Sequence, residues 1–363
     1  MAPKVLIISS YSGSGISVRP EVEMVIRLKQ QGVNIDIMAD TKGPYTAAFK
    51  THGIKVFHYK PVKKISLKEI RTIRKVLLDG RYDLVHVFNN KAVTNTLFAS
   101  RNLPVKIITY RGYTGHLLWY KPTSYISHLN PKVRKITCVS NGSRDHVRKQ
   151  LFFNPQKAVT IYKGHDPEWY QHIAAYSKKD LGFPEDSFVV GCVANARPMK
   201  GIPYLIKATN HLAAYPDVHF MLIGKNMDTP YHTRLMRQSP LHENFHLMGF
   251  KKDVLKYLGA CDALVLSSIR GEGLSKVIIE AMSTGVPVIA THIGGNPELV
   301  IHEQTGLLVP PRSSKSIAEA IISLKKNKHM EEKLAENARN HISSKFHINP
   351  TVKLINQLNK KLL

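Results

Sequence analysis

The stretch "DALVLSSIRGEGLSKVIIEAMSTGVPVIAT", Asp262–Thr291, contains the unit from which the fold is built. An apolar run that predicts a strand is followed by a glycine-rich loop and by a helix that begins near Ser275. Gly285 and Pro287 end that helix, and a second apolar run follows at once. Two buried strands separated by a helix are typical of a βαβ unit, so the stretch predicts a parallel sheet.

The same alternation extends along nearly the whole chain, from "KVLIIS" (Lys4–Ser9) to "GLLVP" (Gly306–Pro310). A chain of 363 residues also exceeds the size at which a single core usually stops growing, about 250–300 residues. We therefore predict an α/β protein with two Rossmann-like, doubly wound domains. Gly and Pro in "YKGHDPEWY" (Tyr162–Tyr170) mark the joint. The predicted domains cover residues 1–165 and 166–345, and a last helix in 346–363 returns to the first domain.

Two carboxylates, Glu272 and Glu280, stand in this apolar and glycine-rich setting. The helix that carries Glu280 is apolar on nearly every side, which predicts that the helix is buried. A buried carboxylate without a partner costs several kcal/mol. Lys276, one turn earlier, could neutralise Glu280 as an (i, i+4) pair. The alternative is that Glu280 accepts hydrogen bonds from ligand hydroxyls, as an acidic residue does with a ribose.

A second loop, "VANARPMKG" (Val193–Gly201), follows a predicted strand directly. Because ligands bind beyond the carboxyl ends of parallel strands, Arg197 and Lys200 stand where a ligand would lie. A guanidinium fork and a lysine ammonium at the head of a helix suit a diphosphate. The alternative is a pair of solvated surface cations.

The loop after the first strand, "SSYSGSGIS", places Gly13 and Gly15 before a helix. Glycines here allow backbone N–H groups to approach a phosphate or a sugar. The dinucleotide fingerprint requires a third glycine three positions after the second, and Val18 stands there. The sequence therefore disfavours a dinucleotide cofactor, and a plain strand-to-helix turn remains an alternative.

Charge is divided unequally between the two halves of the chain. Residues 1–165 contain 28 Lys and Arg against 8 Asp and Glu, a net charge of +20, whereas the rest carries 24 against 18, or +6. A field of this kind attracts polyanions, which include nucleic acid, an anionic membrane surface and a phosphorylated substrate.

The cysteines and the hydropathy indicate a reducing compartment. Cys138, Cys192 and Cys261 lie in apolar runs and predict buried, reduced thiols rather than disulfides or a zinc site. The start "MAPKVLIISSYSGSG" is not typical of a signal peptide, and no apolar run is long enough to span a membrane. We therefore expect a cytoplasmic protein.

These motifs together resemble retaining GT-B glycosyltransferases of glycosyltransferase family 4, of the bacterial kind that builds polysaccharide and lipopolysaccharide. The resemblance covers nearly the whole chain. The motifs that carry it are "SGSGIS", "ARPMKG", "EGLSKVIIEAMSTGVPVIAT" with its two glutamates, and "GGNPELV…TGLLV" (Gly294–Val309).

The resemblance implies a GT-B fold in which a nucleotide-diphosphate sugar, for which we favour UDP, lies in a cleft between the two domains. Arg197 and Lys200 would hold the diphosphate, Glu280 the ribose, and Glu272 would lie along the sugar and the phosphates. Glu272, Arg197 and Lys200 are the implied catalytic residues. Gly15 would leave room for the diphosphate at the edge of the first domain. The remaining implied donor contacts are Gly13, Gly201, Gly224, Gly273, Leu274, Ser275 and Lys276. The implied transfer is of the hexosyltransferase type, retains the anomeric configuration and needs neither a metal ion nor a cofactor.

The sequence departs from the family pattern in the loop "YRGYTGH" after a predicted strand. Many members carry a histidine where Arg111 stands here, so a catalytic histidine is in doubt, and His116 follows five residues later. We assign Arg111 and His116 as contacts to the donor or the acceptor. Leu274 stands where many members have an aromatic residue, and Lys276 is variable in type.

Two basic amphipathic segments lie in the first domain. In "KPVKKISLKEIRTIRKVLLDGR", Leu67, Ile70, Ile73 and Leu77 form one helix stripe, and lysines and arginines face away from it. In "RDHVRKQLFF", basic residues precede Phe152 and Phe153. Such segments suit an anionic lipid surface, and a solvated basic face is the alternative. In this family the first domain generally handles the acceptor, which predicts a glycan, lipid-linked or phosphorylated acceptor at the inner face of the membrane.

Two other functions compete with glycosyl transfer. A nucleotide-sugar epimerase or a phosphorylase could use the same architecture, although the two glutamates in their motif argue against both. A nucleic-acid-binding protein would show aromatic platforms or a known binding motif among its basic residues, and none is found. The sequence leaves the oligomeric state open.

Overall fold

The structure is a computed structural model that describes residues 3–11, 18–115 and 117–363. The chain forms two compact units. The first unit runs up to Gly164 and includes Ile348–Leu363, and the second unit is His165–His347. The first boundary falls within Tyr162–Tyr170, and the second lies two residues later than the one drawn from the sequence.

The first unit is a seven-stranded parallel sheet with helices on both faces. Its strands are β1 (Lys4–Ile8), β2 (Asn34–Ala39), β3 (Lys55–His58), β4 (Leu84–Val87), β5 (Lys106–Arg111), β6 (Val133–Cys138) and β7 (Ala158–Thr160). Its helices are α1 (Arg19–Gln30), α2 (Thr46–Thr51), α3 (Leu67–Gly80), α4 (Asn90–Ala99), α5 (Pro122–Tyr125), α6 (Asn141–Arg148) and, at the end of the chain, α14 (Ile348–Leu362), which packs on α1. The strand order is β3-β2-β1-β4-β5-β6-β7, and every pairing is parallel.

The second unit repeats this plan with six strands. They are β8 (Phe188–Val193), β9 (Val218–Ile223), β10 (Phe245–Gly249), β11 (Ala263–Leu266), β12 (Val288–Thr291) and β13 (Leu307–Val309). The helices are α7 (Ile202–Ala208), α8 (Pro230–Arg237), α9 (Val254–Leu258), α10 (Lys276–Thr284), α11 (Asn296–Leu299), α12 (Ser314–Lys326) and α13 (Lys328–Lys345). The order β10-β9-β8-β11-β12-β13 is again all parallel, so the prediction of two doubly wound domains is confirmed.

The strands are mostly apolar because helices cover both faces of each sheet. In β1, Leu6 and Ile8 face the core shared with α3 and α4, and all four residues from Val5 to Ile8 are buried. The three cysteines are free and buried, as predicted. Across the part of the chain that is described, every helix is too short or too polar to cross a bilayer.

The first residue of helix α3, Leu67, is not packed with the rest of the predicted apolar stripe. Ser66 caps the helix by accepting a hydrogen bond from the backbone N–H of Glu69, at 3.4 Å. Ile73 and Leu77 are buried, but Leu67 is 70% exposed, so the four residues of the stripe do not all pack into the core. The chain is still leaving its loop at Leu67, and the side chain there points to solvent.

A substitution in the core of the second unit tests which residues are packed there. Phe220 on β9 is fully buried, with its ring centroid 5.3 Å from that of Phe245. Phe220→Ala should lower the free energy of unfolding of this unit by about 3–5 kcal/mol because it opens a cavity in a packed core. Leu247→Ala, at an exposed position on the neighbouring strand, is the control. Chemical denaturation followed by circular dichroism measures both, and equal effects would contradict the assigned core.

Candidate functional site

The candidate site lies where the strand order of the second sheet reverses. β8 pairs with β9 on one side and with β11 on the other, and the crossing helices leave in opposite directions. At such a switch point the loops that follow the two strands separate and leave a crevice that binds ligands. Here the loops are residues 194–201, which carry Arg197 and Lys200, and residues 267–275, which carry Glu272.

Hydrogen bonds hold these two loops together. The N–H of Ile269 donates to the carbonyl of Met199 at 2.8 Å, and the hydroxyl of Ser267 donates to the carbonyl of Lys200 at 3.1 Å. Gly201 has φ = +64°, and a Cβ there would lie 2.1 Å from the carbonyl oxygen of Ser267. Gly201 is therefore required by the close approach of the loops.

Glu272 is the centre of the loop contacts. Its carboxylate accepts from the Lys200 ammonium at 2.6 Å and from the Ser268 hydroxyl at 2.5 Å, and the residue is only 6% exposed. The loop after β12 also reaches it, because Gly294, at φ = +54°, packs against the carbonyl oxygen of Glu272. Three loops therefore meet at this one residue.

Glu280 occupies the predicted position inside helix α10. The residue is 5% exposed, and its carboxylate is paired with Lys276 one turn earlier. Burial raises the pKa of Glu280 above its usual range, and the ammonium of Lys276 opposes the rise. The structure thus forms the ion pair that was one of the two interpretations of Glu280.

Three of the remaining predicted donor contacts, Gly273, Leu274 and Ser275, lie between the two glutamates in sequence. Ser275 is the N-cap residue of α10 and makes no side-chain cap, so the first N–H groups of the helix are not satisfied by it. Gly273 and Ser275 are buried, whereas Leu274 is half-buried. Arg197 is exposed. In the described residues no group of three or more His, Cys, Asp or Glu side chains is placed to hold a metal ion.

Gly224, directly after β9, packs against the loop that follows β8. Gly224 has φ = +145°, and a Cβ there would lie 1.8 Å from the carbonyl oxygen of Ala194. The following N–H, of Lys225, donates to the side-chain oxygen of Asn195 at 3.0 Å. Gly224 therefore supports the loop that carries Arg197 and Lys200.

The first unit contains the other predicted contacts. Arg111 ends β5 and is 3% exposed; its guanidinium donates to the carbonyl of Gly115 at 2.6 Å and lies 4.4 Å from the ring centroid of Tyr113. Among the described residues its Nε has no hydrogen-bond partner. Gly13, Gly15 and His116 lie outside the described residues, so their predicted roles stay predictions.

The sequence did not assign Ser268 or Gly294, although both contact Glu272. A signal was present for each. Ser268 is a polar residue at the carboxyl end of a fully buried strand, and Gly294 lies in the "GGNPELV" motif that carried the resemblance. Neither position reveals its partner until the loops are placed side by side.

Family comparisons cover most of the chain. The model described as Glycosyltransferase Family 4 matches residues 22–169, and the model described as Glycosyl transferases group 1 matches residues 175–341. The chain belongs to the family 4 glycosyltransferases. The enzyme is therefore a glycosyltransferase, and each of its two units is matched by its own model.

Individual relatives agree with this assignment. The enzyme is 26% identical, over 91% of its length and 90% of the relative, to an Escherichia coli UDP-Gal:alpha-D-GlcNAc-diphosphoundecaprenol alpha-1,3-galactosyltransferase. A glycosyltransferase from Rickettsia africae matches with a TM-score of 0.83 at 19% identity, covering 99% and 98% of the two chains. Anabaena HepE in complex with UDP matches at 0.79 and 21%, covering 99% and 100%. The predicted GT-B fold is confirmed by these neighbours.

The raised pKa of Glu280 predicts how stability depends on pH. Between its ordinary value of 4.5 and the higher value in the folded state, the folded enzyme holds a proton that the unfolded chain has released. Stability therefore falls as pH rises through this window. Glu280→Gln cannot titrate, so its stability relative to the wild type should increase from about pH 4.5 upward and level off once Glu280 is ionised in the fold.

Thermal unfolding over a pH series measures this difference. The control is Glu319→Gln, because Glu319 is exposed and also has a lysine four residues away. The pH profile of Glu280→Gln is compared with the profile of this variant. A flat profile for Glu280→Gln would show that burial of the carboxylate does not perturb its titration.

Proposed function

We propose that the second unit binds a nucleotide-diphosphate sugar at the β8/β11 switch point and that the enzyme transfers the sugar with retention of configuration. One observation carries the proposal. Glu272 on the loop after β11 and Glu280 on the following helix, α10, are each about 95% buried, and each is paired with a lysine. They lie at the edge where open α/β sheets bind ligands. Burial of a charged group costs desolvation energy, so loops with a purely structural role are not expected to contain charges buried this deeply.

The diphosphate would contact the cations of the site. Lys200 already lies in the loop, held by Glu272, and Arg197 is exposed in the same loop. The N-terminus of α10, where Ser275 makes no side-chain cap, offers N–H groups to the same anion. These groups stabilise the negative charge that develops on the nucleoside diphosphate as it leaves, so they lower the barrier to transfer.

Glu280 is proposed to accept the ribose hydroxyls. The carboxylate has two oxygens, and Lys276 contacts one of them, Oε1. The ribose hydroxyls could therefore donate to the other oxygen while the lysine stays in place. The lysine then keeps Glu280 ionised, and an ionised carboxylate is the better acceptor. The ion pair and the ribose contact are therefore compatible.

Glu272 is proposed to act on the sugar side of the same ligand. Lys200 and Ser268 both donate to its Oε1. An ionised carboxylate has about four lone-pair sites on its two oxygens, so it can also accept from sugar hydroxyls. If Lys200 moved to the diphosphate, the hydroxyl of Ser268 would still donate a hydrogen bond to Glu272. The transfer is proposed to need no metal ion, in line with the family resemblance.

For the donor and the acceptor, the relatives favour a uridine nucleotide and a lipid-linked acceptor. HepE was crystallised with UDP, and the Escherichia coli relative is named for UDP-Gal and a diphosphoundecaprenol acceptor. The first unit carries 31 basic and 8 acidic residues, a net charge of +23, which suits an acceptor that carries phosphate. An epimerase or a phosphorylase gains no support, because both matching models describe transferases.

Replacement of the diphosphate cations tests the site. Lys200→Ala and Arg197→Ala should each lower kcat/KM by about 100-fold or more, since removal of one charge-stabilising donor costs about that much. Gel filtration and thermal unfolding show whether the fold survives. The control is Lys315→Ala, an exposed lysine on α12 that pairs with Glu319. Equal activity of all three variants would remove these cations from the mechanism.

A panel of nucleotides tests the donor. UDP should raise the unfolding temperature of the wild type more than GDP, ADP or CMP, and Glu280→Ala should reduce the UDP effect because a ribose contact is lost. Donor hydrolysis identifies the sugar, and NMR of the first-formed product gives its anomeric configuration. An inverted product would refute retention, and equal stabilisation by every nucleotide would refute the uridine assignment.

A further inference from the structure

Two groups of exposed apolar side chains distinguish the first unit from an ordinary polar surface. The first group, here called the aromatic patch, consists of Trp119, Tyr120, Phe152 and Phe153. Their exposure ranges from 50% for Trp119 to complete exposure for Phe153. Large aromatic side chains are seldom left in water together, so a cluster of this kind indicates an interaction surface.

The aromatic patch is built from two segments that are distant in sequence. The ring of Trp119 meets those of Tyr120 and Phe152 edge to face, at centroid distances of 5.8 and 5.4 Å. The backbone N–H of Trp119 donates to the side-chain oxygen of Gln150 at 3.0 Å, which ties the two segments together. Three side chains of the patch are therefore in contact with one another, and Phe153 follows Phe152 directly in the chain.

The second group, here called the basic loop, is residues 60–68. Val62, Ile65 and Leu67 are between 55% and 70% exposed. The four lysines of the loop are also exposed, and they are Lys60, Lys63, Lys64 and Lys68. Exposed apolar side chains that alternate with lysines can enter a lipid interface while their cations meet anionic headgroups.

Glu69 holds the basic loop in this conformation. Its carboxylate accepts from the hydroxyl of Tyr59 at 2.8 Å and from the backbone N–H groups of Val62 and Lys63 at 3.2 and 3.1 Å. Asn95 on α4 donates to the same carboxylate at 3.0 Å and accepts from the N–H of Ser66 at 3.0 Å. The exposed side chains are thus presented by an ordered loop, so little ordering is required on binding.

Both groups lie on the same side of the sheet. One core cluster contains Ile73 of α3, Val93 of α4, Leu117 and Val147 of α6, packed against alternate residues of the strands. The basic loop begins α3, while the aromatic patch follows Leu117 and Val147 closely in the chain. The two groups therefore belong to the helical layer that covers a single face of the sheet.

We propose that this face of the first unit docks on an anionic lipid bilayer, with the aromatic patch and the basic loop as its two contact points. Charge selects the occupant, because the first unit carries +23 whereas the second unit carries 21 basic and 18 acidic residues, or +3. An anionic surface attracts the first unit, and tryptophan with tyrosine is the pair that favours the bilayer interface. The inference rests on the proposed function, since it brings the enzyme to a lipid-linked acceptor.

Vesicle binding by the full chain tests this surface. The wild type should co-sediment with vesicles that contain phosphatidylglycerol and bind those of phosphatidylcholine alone much more weakly. Trp119→Ala with Phe153→Ala, and separately Val62→Ser with Leu67→Ser, should each weaken binding by about tenfold or more. Leu354→Ser is the matched control, because Leu354 is an exposed apolar residue on α14, which packs on α1.

Fluorescence tests insertion directly. The chain has two tryptophans, so Trp169→Phe leaves Trp119 as the single reporter. Its emission should shift to shorter wavelength on phosphatidylglycerol vesicles. A second variant combines Lys63→Gln with Lys64→Gln. If this variant lost vesicle binding while the Trp119 emission of the Trp169→Phe protein did not shift on vesicles, the contact would be electrostatic only, and the two-point proposal would be overturned.

Two further outcomes would also overturn it. A wild type indifferent to phosphatidylglycerol has no such surface. A Trp119→Ala variant that changes the sedimentation coefficient in the absence of vesicles would make the aromatic patch a contact between copies of the chain. UDP affinity, measured on every variant, should stay unchanged, so failure of the lipid surface is distinguished from failure of the donor site.

Discussion

The pairing of β8 with β11 is the constraint on which the site depends. Val190 and Gly191 lie beside Ala263 and Leu264, and a Cβ at Gly191 would come within 2.5 Å of the sulfur of Cys261. This close pairing of two strands that are distant in sequence brings their loops together. Lys200 and Glu272 are 72 residues apart along the chain, yet they form one contact because the two strands are neighbours.

Each buried carboxylate of the site is neutralised inside the protein. Lys200 is the counter-ion of Glu272, and Lys276 is that of Glu280. Removing one member alone would leave an unpaired charge away from water, which is far less favourable than the intact pair. The site can therefore be folded and charged before any ligand is bound. An anion that bound to either lysine would have to compete with its carboxylate.

Much of this architecture could be predicted from the sequence, because parallel strands buried on both faces are apolar runs that are visible without a structure. The burial of Glu280 followed in the same way from the apolar residues around it on α10. Other features depend on contacts between distant segments. Leu67 fits the helix period, but its exposure is set by a loop that Glu69 and Asn95 hold in place. The three residues of β7 are too few to give a pattern.

The path of the chain has a consequence for exchanging parts between related enzymes. The second unit is one continuous segment, His165–His347, and the first unit contains the chain on both sides of it, including α14. The second unit is therefore an insert in the first. A chimaera that exchanges the second unit must be spliced at two junctions, because a single splice at the first junction would also replace α14, on which the packing of α1 depends.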